Sequence, residues 1–348
     1  MVQKDVRLQA CIASSGTVVG KKEKEGPLGD QFDLHDPDNK FGQKTWETAE
    51  GEMQRRAFGL ALSRLDKKDA DIDALFAGDL QNQCVGSAYG LINYDIPYFG
   101  LYGACSTCTE ALLVASLYLS THKEARRVAT VTTSHNSAAE RQFRTPLEYG
   151  AQRTPTAQWT ATAAGAFLLG RRTEASLTAS RDEFLPSIVE VMVGKIIDGA
   201  TSDAANMGAA MAPAAADTLI TYFKETGRSP SDFDAIYTGD LGEVGTALLH
   251  ELTQKEGYSL SGVHRDCGTL LYDKEKQDVH SGASGCGCSA SVLASSILPA
   301  MQRGELSHVL FLSTGALMSP TSVQQGQSIF GIAPLIHLVG KQKAGVVR

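Results

Sequence analysis

Tyr102 to Ala115 read YGACSTCTEALLVA, and place a cysteine where a glycine turn gives way to an apolar helical run. A cysteine at a helix start is primed for nucleophilic chemistry. Unpaired backbone N–H groups and the helix dipole favour its thiolate, and lower the thiol from its ordinary value of about 8.5. Leu112, Leu113, Val114, Ala115 and Leu117 make the following helix apolar on several sides. Such a helix belongs in the interior, with Cys105 at the base of a cleft. The competing reading of Cys105 is a space-filling residue, since free cysteine packs well in cores. Acyl transfer would also need a base and an oxyanion hole. His135 is the candidate base: the stretch TTSHNS ends the apolar run from Val128, so the imidazole emerges at a strand end, where α/β sheets hold ligands. Asn136 beside it could donate to a ligand oxygen or orient the ring. A loop histidine bonded to water or a backbone carbonyl is the bland alternative.

Other residues compete for attention. Cys105 and Cys108 form a CxxC, the redox arrangement when it opens a helix in a small βαβ domain. Here it lies about a hundred residues into a much larger frame, which argues against redox work. Cys286 and Cys288 form a CxC with Cys267 further back, but zinc wants four ligands at regular spacing and no second pair completes the set. Gly282, Gly285 and Gly287 read instead as a tight turn and a close backbone approach at a helix start. Gly-Asp-Leu occurs twice, at Asp79 and at Asp240. A carboxylate there either projects into a cleft or bonds its own turn. Asp79, followed by Asn82 and Gln83 and nearer to Cys105, is assigned to the pocket; Asp240 is assigned to the turn.

The elements that must position these residues come in two copies. DIDALFAGDL (Asp71 to Leu80) and DFDAIYTGDL (Asp232 to Leu241) share six identities at an offset of 161 residues. Repeats of this kind govern the fold. Helical stretches precede both copies, Thr45 to Arg64 and Met207 to Thr226, and plausible strands precede those, VRLQACIASS and SIVEVMVGKI. Downstream, the Cys105 and Cys286 stretches match at an offset of 181, with the extra residues placed around Lys255 to Asp278. RRVATVTTS then matches SHVLFLSTG, and Ala163 to Gly170 reads as a strand closing the first half. Each half is therefore βαβαβ, which predicts a mostly parallel sheet covered by helices. The halves divide as residues 1–178 and 179–348.

The 348 residues are enough for one large α/β unit or two ordinary domains. A net charge of -7 argues against nucleic acid as a partner, because phosphate binding needs a basic face. No apolar run reaches the roughly 20 residues of a membrane helix, and the N-terminal stretch has no signal-peptide pattern. Seven cysteines without a secretion signal read as free thiols in a reducing cytoplasm.

Two copies of one unit, each opening a helix with a cysteine, resemble the thiolase fold. GACST (Gly103 to Thr107) resembles its nucleophile turn. Longer motifs are more specific. GPLG, AGDLQNQ, FGLYGACSTCTE, TSHNSAAERQFRTPLEYG, MGAAMAPAAADT and SGCGCSASV occur in order along nearly the whole chain. By these the chain resembles the stage V sporulation protein AD family, a thiolase-like branch of endospore-formers. The resemblance implies an α-β-α-β-α sandwich of two pseudo-symmetric halves that binds dipicolinic acid (pyridine-2,6-dicarboxylate). It implies a part in uptake of that acid into the developing spore, with calcium able to accompany the ligand and no other cofactor. It also implies a homodimer, with IPYFGLY (Ile96 to Tyr102) near the interface. Other membrane proteins of the stage V sporulation A operon would be partners, and would hold this chain peripherally at the spore inner membrane.

The sequence departs from a working thiolase. His280 precedes a glycine-rich turn, but no proline follows it, and STGALMSP (Ser313 to Pro320) offers no titratable group where the first half has His135. An incomplete catalytic set favours a binder over a transferase. The alternative remains a Cys-dependent acyltransferase or condensing enzyme with Cys105 as nucleophile and His135 as base. For a flat dicarboxylate the cations are Arg141 and Arg144, with Phe143 and Tyr149 as apolar neighbours. With Cys105, Ser106 of the same turn, His135, Asn136, Asp79 and Asn82, they complete the expected ligand site.

Overall fold

The computed structural model describes residues 10–143, 153–171 and 185–341. Ten strands carry the architecture. The first half contributes β1 (Ala10–Val19), β2 (Ala74–Gly78), β3 (Tyr98–Gly100), β4 (Arg127–Ser134) and β5 (Ala163–Arg171). The second contributes β6 (Ser187–Met192), β7 (Ala235–Thr238), β8 (His264–Asp266), β9 (His308–Leu312) and β10 (Leu335–Val339). They order as β3-β2-β4-β5-β1 and β8-β7-β9-β10-β6, the same arrangement twice. Two antiparallel pairings, Ala10 with Ile188 and Cys11 with Ser187, join the halves edge to edge.

The sheets are mixed rather than mostly parallel. In each half the second strand pairs in parallel with the third and fourth. The fifth runs antiparallel to both its neighbours. The reason is topological. Parallel neighbours need a crossover to bring the chain back to its starting end, whereas antiparallel ones do not. The last strand of each half starts from the end where the fourth finishes, so it must run back.

The helices complete five layers. Outside the first sheet lie α1 (Trp46–Arg64) and α2 (Val85–Leu91). Between the sheets lie α3 (Thr107–Thr121) and, later in the chain, α8 (Cys286–Val292), which continues through a π turn at Leu293–Ile297 into Leu298–Gln302. Outside the second sheet lie α5 (Met207–Thr226) and α6 (Gly242–Lys255). Two short helices, α4 (Asn136–Phe143) and α7 (Cys267–Leu271), follow β4 and β8. The strands sort their side chains by the period of two. Ala74 and Phe76 of β2 face the central layer while Leu75 and Ala77 face α1. In β9, Val309 and Phe311 face the centre, and Leu310 and Leu312 face outward. The extra length of the second half falls mainly in α7 and the loop after it.

The aspartates of the repeat explain its recurrence. Asp71 and Asp232 each accept the backbone N–H three residues earlier, from Lys68 at 3.0 Å and Ser229 at 2.7 Å. Asp73 accepts the N–H groups of Arg126 and Arg127; Asp234 accepts those of Ser307 and His308. Each ties the start of its half's fourth strand to the second. Among the described residues, no helix is long and apolar enough to cross a membrane.

Candidate functional site

Cys105 occupies a single 3-10 turn, Ala104–Ser106, that leads into α3. Ala104 is held at φ +52°, a left-handed conformation that costs a residue with a Cβ roughly 1 kcal/mol or more. The turn presents the Cys105 sulfur 3.7 Å from the hydroxyl of Ser284, which lies just before α8. Behind them stands Asp240. Its carboxylate accepts the Gly285 N–H at 2.8 Å, the Ser284 hydroxyl at 3.3 Å and the Thr314 hydroxyl at 2.9 Å. The two helix starts therefore meet at one point, and the second half supplies an acidic group there.

The electrostatics run against an activated thiol. Burial first, and then the negative charge of Asp240, push the Cys105 thiol well above its ordinary value. Burial likewise pushes Asp240 up to about 7, opposed by the hydrogen bonds it accepts. The helix start that should favour thiolate is outweighed, because an anion facing a carboxylate in a low-dielectric site is doubly disfavoured.

Cys105 and Ser284 lie on the floor of a cleft of about 730 Å³, within the range of small-molecule sites. Leu80, Phe143, Met207, Met211 and Leu317 give it apolar walls. Among the described residues, no histidine lines it. The cation that lines it, among the same residues, is Arg153, whose side chain is only 7% exposed. It pairs with Asp278 and lies over the Trp159 ring, 4.9 Å from the centroid. Its Nη1 has no hydrogen-bond partner. Gln158 lines the same cleft; its Nε2 donates to the carbonyls of Asp240 and Ala283, both at 2.7 Å, and its Oε1 is unpaired.

The expected residues divide. Cys105 faces the cleft, and Phe143 helps to wall it. Asn82 is exposed at the rim, where it accepts the hydroxyl of Tyr102, a lining residue, at 3.1 Å. Ser106 points away, donating to the Gly103 carbonyl at 2.6 Å and to Glu110 at 2.8 Å. His135 is fully buried and lies off the cleft. Its Nε2 meets the Asn39 carbonyl at 2.8 Å and its ring packs on Trp46; burial lowers its basicity. Asn136 donates to the Thr160 carbonyl at 3.2 Å. Arg141 is paired with Glu47 on the surface. Arg144 and Tyr149 lie outside the described residues.

Asp79 and Asp240 exchange their expected roles. Asp79 is buried and caps its own half, accepting Gln81 N–H at 2.8 Å and Ser87 N–H at 2.7 Å. In the second half that work falls to Asp266, which accepts Leu241 N–H at 2.8 Å and Gly242 N–H at 3.0 Å. Asp240 is thereby released toward Cys105. The glycines act as anticipated: Gly282 and Gly285 hold φ +115° and +102°, and a Cβ on Gly287 would stand 2.0 Å from the Ala163 carbonyl. Asp240, Ser284, Arg153 and Gln158 were not foreseen. Only the duplicated Gly-Asp-Leu offered a signal, and only for the first of them.

Fold and cleft together define a thiolase-like protein, with a cysteine at the start of its central helix. Solved structures of the same fold include OleA of Xanthomonas campestris, at a TM-score of 0.59 and 13% identity over 95% of this chain and 96% of that one. They also include 3-oxoacyl-(acyl carrier protein) synthase III of Pseudomonas aeruginosa PAO1, at 0.55 and 12% over 98% and 100%. Identities this low speak for the fold alone. Within it, the chain belongs to the stage V sporulation protein AD (SpoVAD) family, whose model matches residues 3–339. It is 41% identical over 334 residues to stage V sporulation protein AD of Bacillus subtilis (strain 168), covering 96% of this chain and 94% of that one. A role in sporulation follows from that membership.

Proposed function

We propose that this protein binds dipicolinic acid in the cleft above Cys105, and takes part in its uptake into the developing spore. The observation that carries the reading is the chemistry of the cleft floor. A thiol raised by burial faces a carboxylate, and no imidazole lines the site among the described residues. Such a floor can bound a ligand but is poorly armed for acyl transfer, which needs a thiolate and a base. The apolar walls suit a flat aromatic ring, and the buried Arg153 suits a carboxylate. The family's role in sporulation supplies the physiological setting.

Calcium would enter, if at all, with the ligand. Membrane proteins of the same operon would hold the chain at the spore inner membrane. Homodimerisation is supported by β3, an edge strand with Tyr98 and Phe99 44% and 62% exposed. The second reading, a Cys105 acyltransferase, draws support from the strained Ala104 that aims the sulfur into the cleft.

Calorimetric titration with dipicolinate, with and without calcium, tests the proposal. Saturable binding by the wild type, weakened in Cys105→Trp, supports it. No binding by the wild type, together with a covalent acyl adduct on Cys105 from an acyl thioester, would transfer the case to the enzyme.

A further inference from the structure

We infer that Arg153 is the carboxylate anchor of the cleft, gripping its ligand through Nη1 while Asp278 holds the other side of the guanidinium. The inference deepens the binding reading above, and rests on it for which carboxylate is bound. A buried guanidinium nitrogen without an acceptor is costly, and folded proteins rarely leave one unless something arrives to fill it. Here it belongs to a side chain more than nine-tenths buried that lines the cleft above Cys105. The guanidinium is held from two directions, by Asp278 and by the Trp159 face. Neither contact uses Nη1.

A second cation lies beside Arg153. Lys22 lies on Trp159 as well, 4.1 Å from its centroid, so two cations share one indole. Burial lowers the Lys22 ammonium and the nearby Arg153 charge lowers it further, while Asp278, Glu23 and Glu25 raise it. Asp278 acts from an exposed position, 72% accessible, where water screens it. Glu140 also lines the cleft, but Thr160 donates to it at 3.1 Å. The unpaired Oε1 of Gln158, which lines the same cleft, is a second orphan, and it is an acceptor. Its amide cannot be turned to cure this, because Nε2 already serves two carbonyls. An orphan donor and an orphan acceptor together call for a guest that accepts at one point and donates at another. A carboxylate that brings a hydroxyl or a bound water does both. With the Arg153 guanidinium and apolar walls in one cleft, the fitting class is a carboxylate on an aromatic or aliphatic body.

The test is calorimetric titration of dipicolinate, benzoate and glutarate into wild type, Arg153→Met and Arg153→Lys. Thermal melts report whether each variant folds. Affinity for whichever carboxylate binds should fall at least 30-fold in Arg153→Met and recover in part in Arg153→Lys. Neutral pyridine-2,6-dicarboxamide should not bind the wild type. Equal affinity of wild type and Arg153→Met would overturn the anchor while leaving the dipicolinate reading intact. If dipicolinate fails on the wild type but benzoate or glutarate binds and is lost in Arg153→Met, the dipicolinate reading falls and the anchor stands. No carboxylate binding the wild type overturns both. Should Arg153→Met not fold, Arg153→Lys decides: it keeps the charge but not the fork, and unchanged affinity in it overturns the anchor.

Discussion

The Cys105 sulfur and the Ser284 hydroxyl lie 3.7 Å apart, one from each half of the duplicated fold. Each stands where its half passes into a central helix, so the cleft floor is a product of the duplication itself. Asp240 sits behind the contact and accepts from Ser284, Gly285 and Thr314. The pair therefore shares an acidic backing instead of the imidazole that acyl transfer would want.

Alkylation of Cys105 should be slow. A thiol near its ordinary value is about a tenth ionised at pH 7.5, and each unit of upward shift costs a further factor of about ten. Burial and the Asp240 charge both act upward here. Iodoacetamide at pH 7.5, followed site by site by mass spectrometry, should modify Cys105 at least about 10-fold more slowly than free cysteine. Asp240→Asn should speed it several-fold, by removing the facing charge. A wild-type rate above that of free cysteine would mean an activated nucleophile, and would undo the electrostatic account.

Asp240 should also make the protein less stable as pH rises. Its folded value, about 7, lies above its ordinary 3.8 because burial penalises the anion. A group raised in the folded state contributes stability that is fully present below about 4, and is lost as pH climbs through about 7. Asp266, raised by burial to about 6, acts in the same direction. Glu190 acts oppositely, since its bonds to His337, Arg228 and Tyr222 hold it well below its ordinary value against the opposing effect of burial. Comparison with a variant isolates the Asp240 contribution. Urea midpoints at pH 5 and pH 8 should differ less in Asp240→Asn than in wild type. Identical pH dependence in the two proteins would show that Asp240 is ionised at no cost.

The architecture was largely legible because its signals are local. Each copy of the repeat and the limits of α5 (Met207–Thr226) lie within short windows. The antiparallel return of β5 and β10 was not, since strand direction depends on where the preceding connection ends. At the site, sequence position placed His135 and Asp79 correctly at strand ends, yet a strand end does not say which neighbour a side chain meets. Asn39, 96 residues away, meets the His135 ring. Ser87 captures Asp79 in one half, and Asp266 takes over that work in the other. Arg153 depends on Asp278, 125 residues on, and no spacing rule connects them.

Asp79 and His135 should matter for stability and little for ligand. Asp79→Ala would strip acceptors from the buried N–H groups of Gln81 and Ser87, at a cost of about 2 kcal/mol or more. His135→Ala would leave a cavity beside Trp46 and an unserved Asn39 carbonyl, with a similar cost. Denaturant melts should show both losses. Dipicolinate affinity, measured where the variants remain folded, should stay within about threefold of wild type. A large loss of affinity in either variant would bring that residue into the site, despite its absence from the cleft wall.

Gly287→Ala should be among the most damaging single changes. Its Cβ would lie 2.0 Å from the Ala163 carbonyl, and 2.8 Å from both the Ser134 nitrogen and its hydroxyl. Two of these are backbone atoms of β4 and β5, which cannot step aside as a flexible side chain could. The start of α8 would have to withdraw from the first sheet, taking with it the Gly285 N–H and the Ser284 hydroxyl that face Asp240. A loss of about 3 kcal/mol or more is expected, or failure to accumulate soluble protein. Gly227→Ala is the control. It changes a glycine at φ +70° with nothing within 4 Å, so it carries conformational strain alone, about 1 kcal/mol. If the two variants melt alike, close approach of α8 to the first sheet is not what glycine supplies at position 287. The account of how the two halves assemble one cleft floor would then fail at its tightest contact.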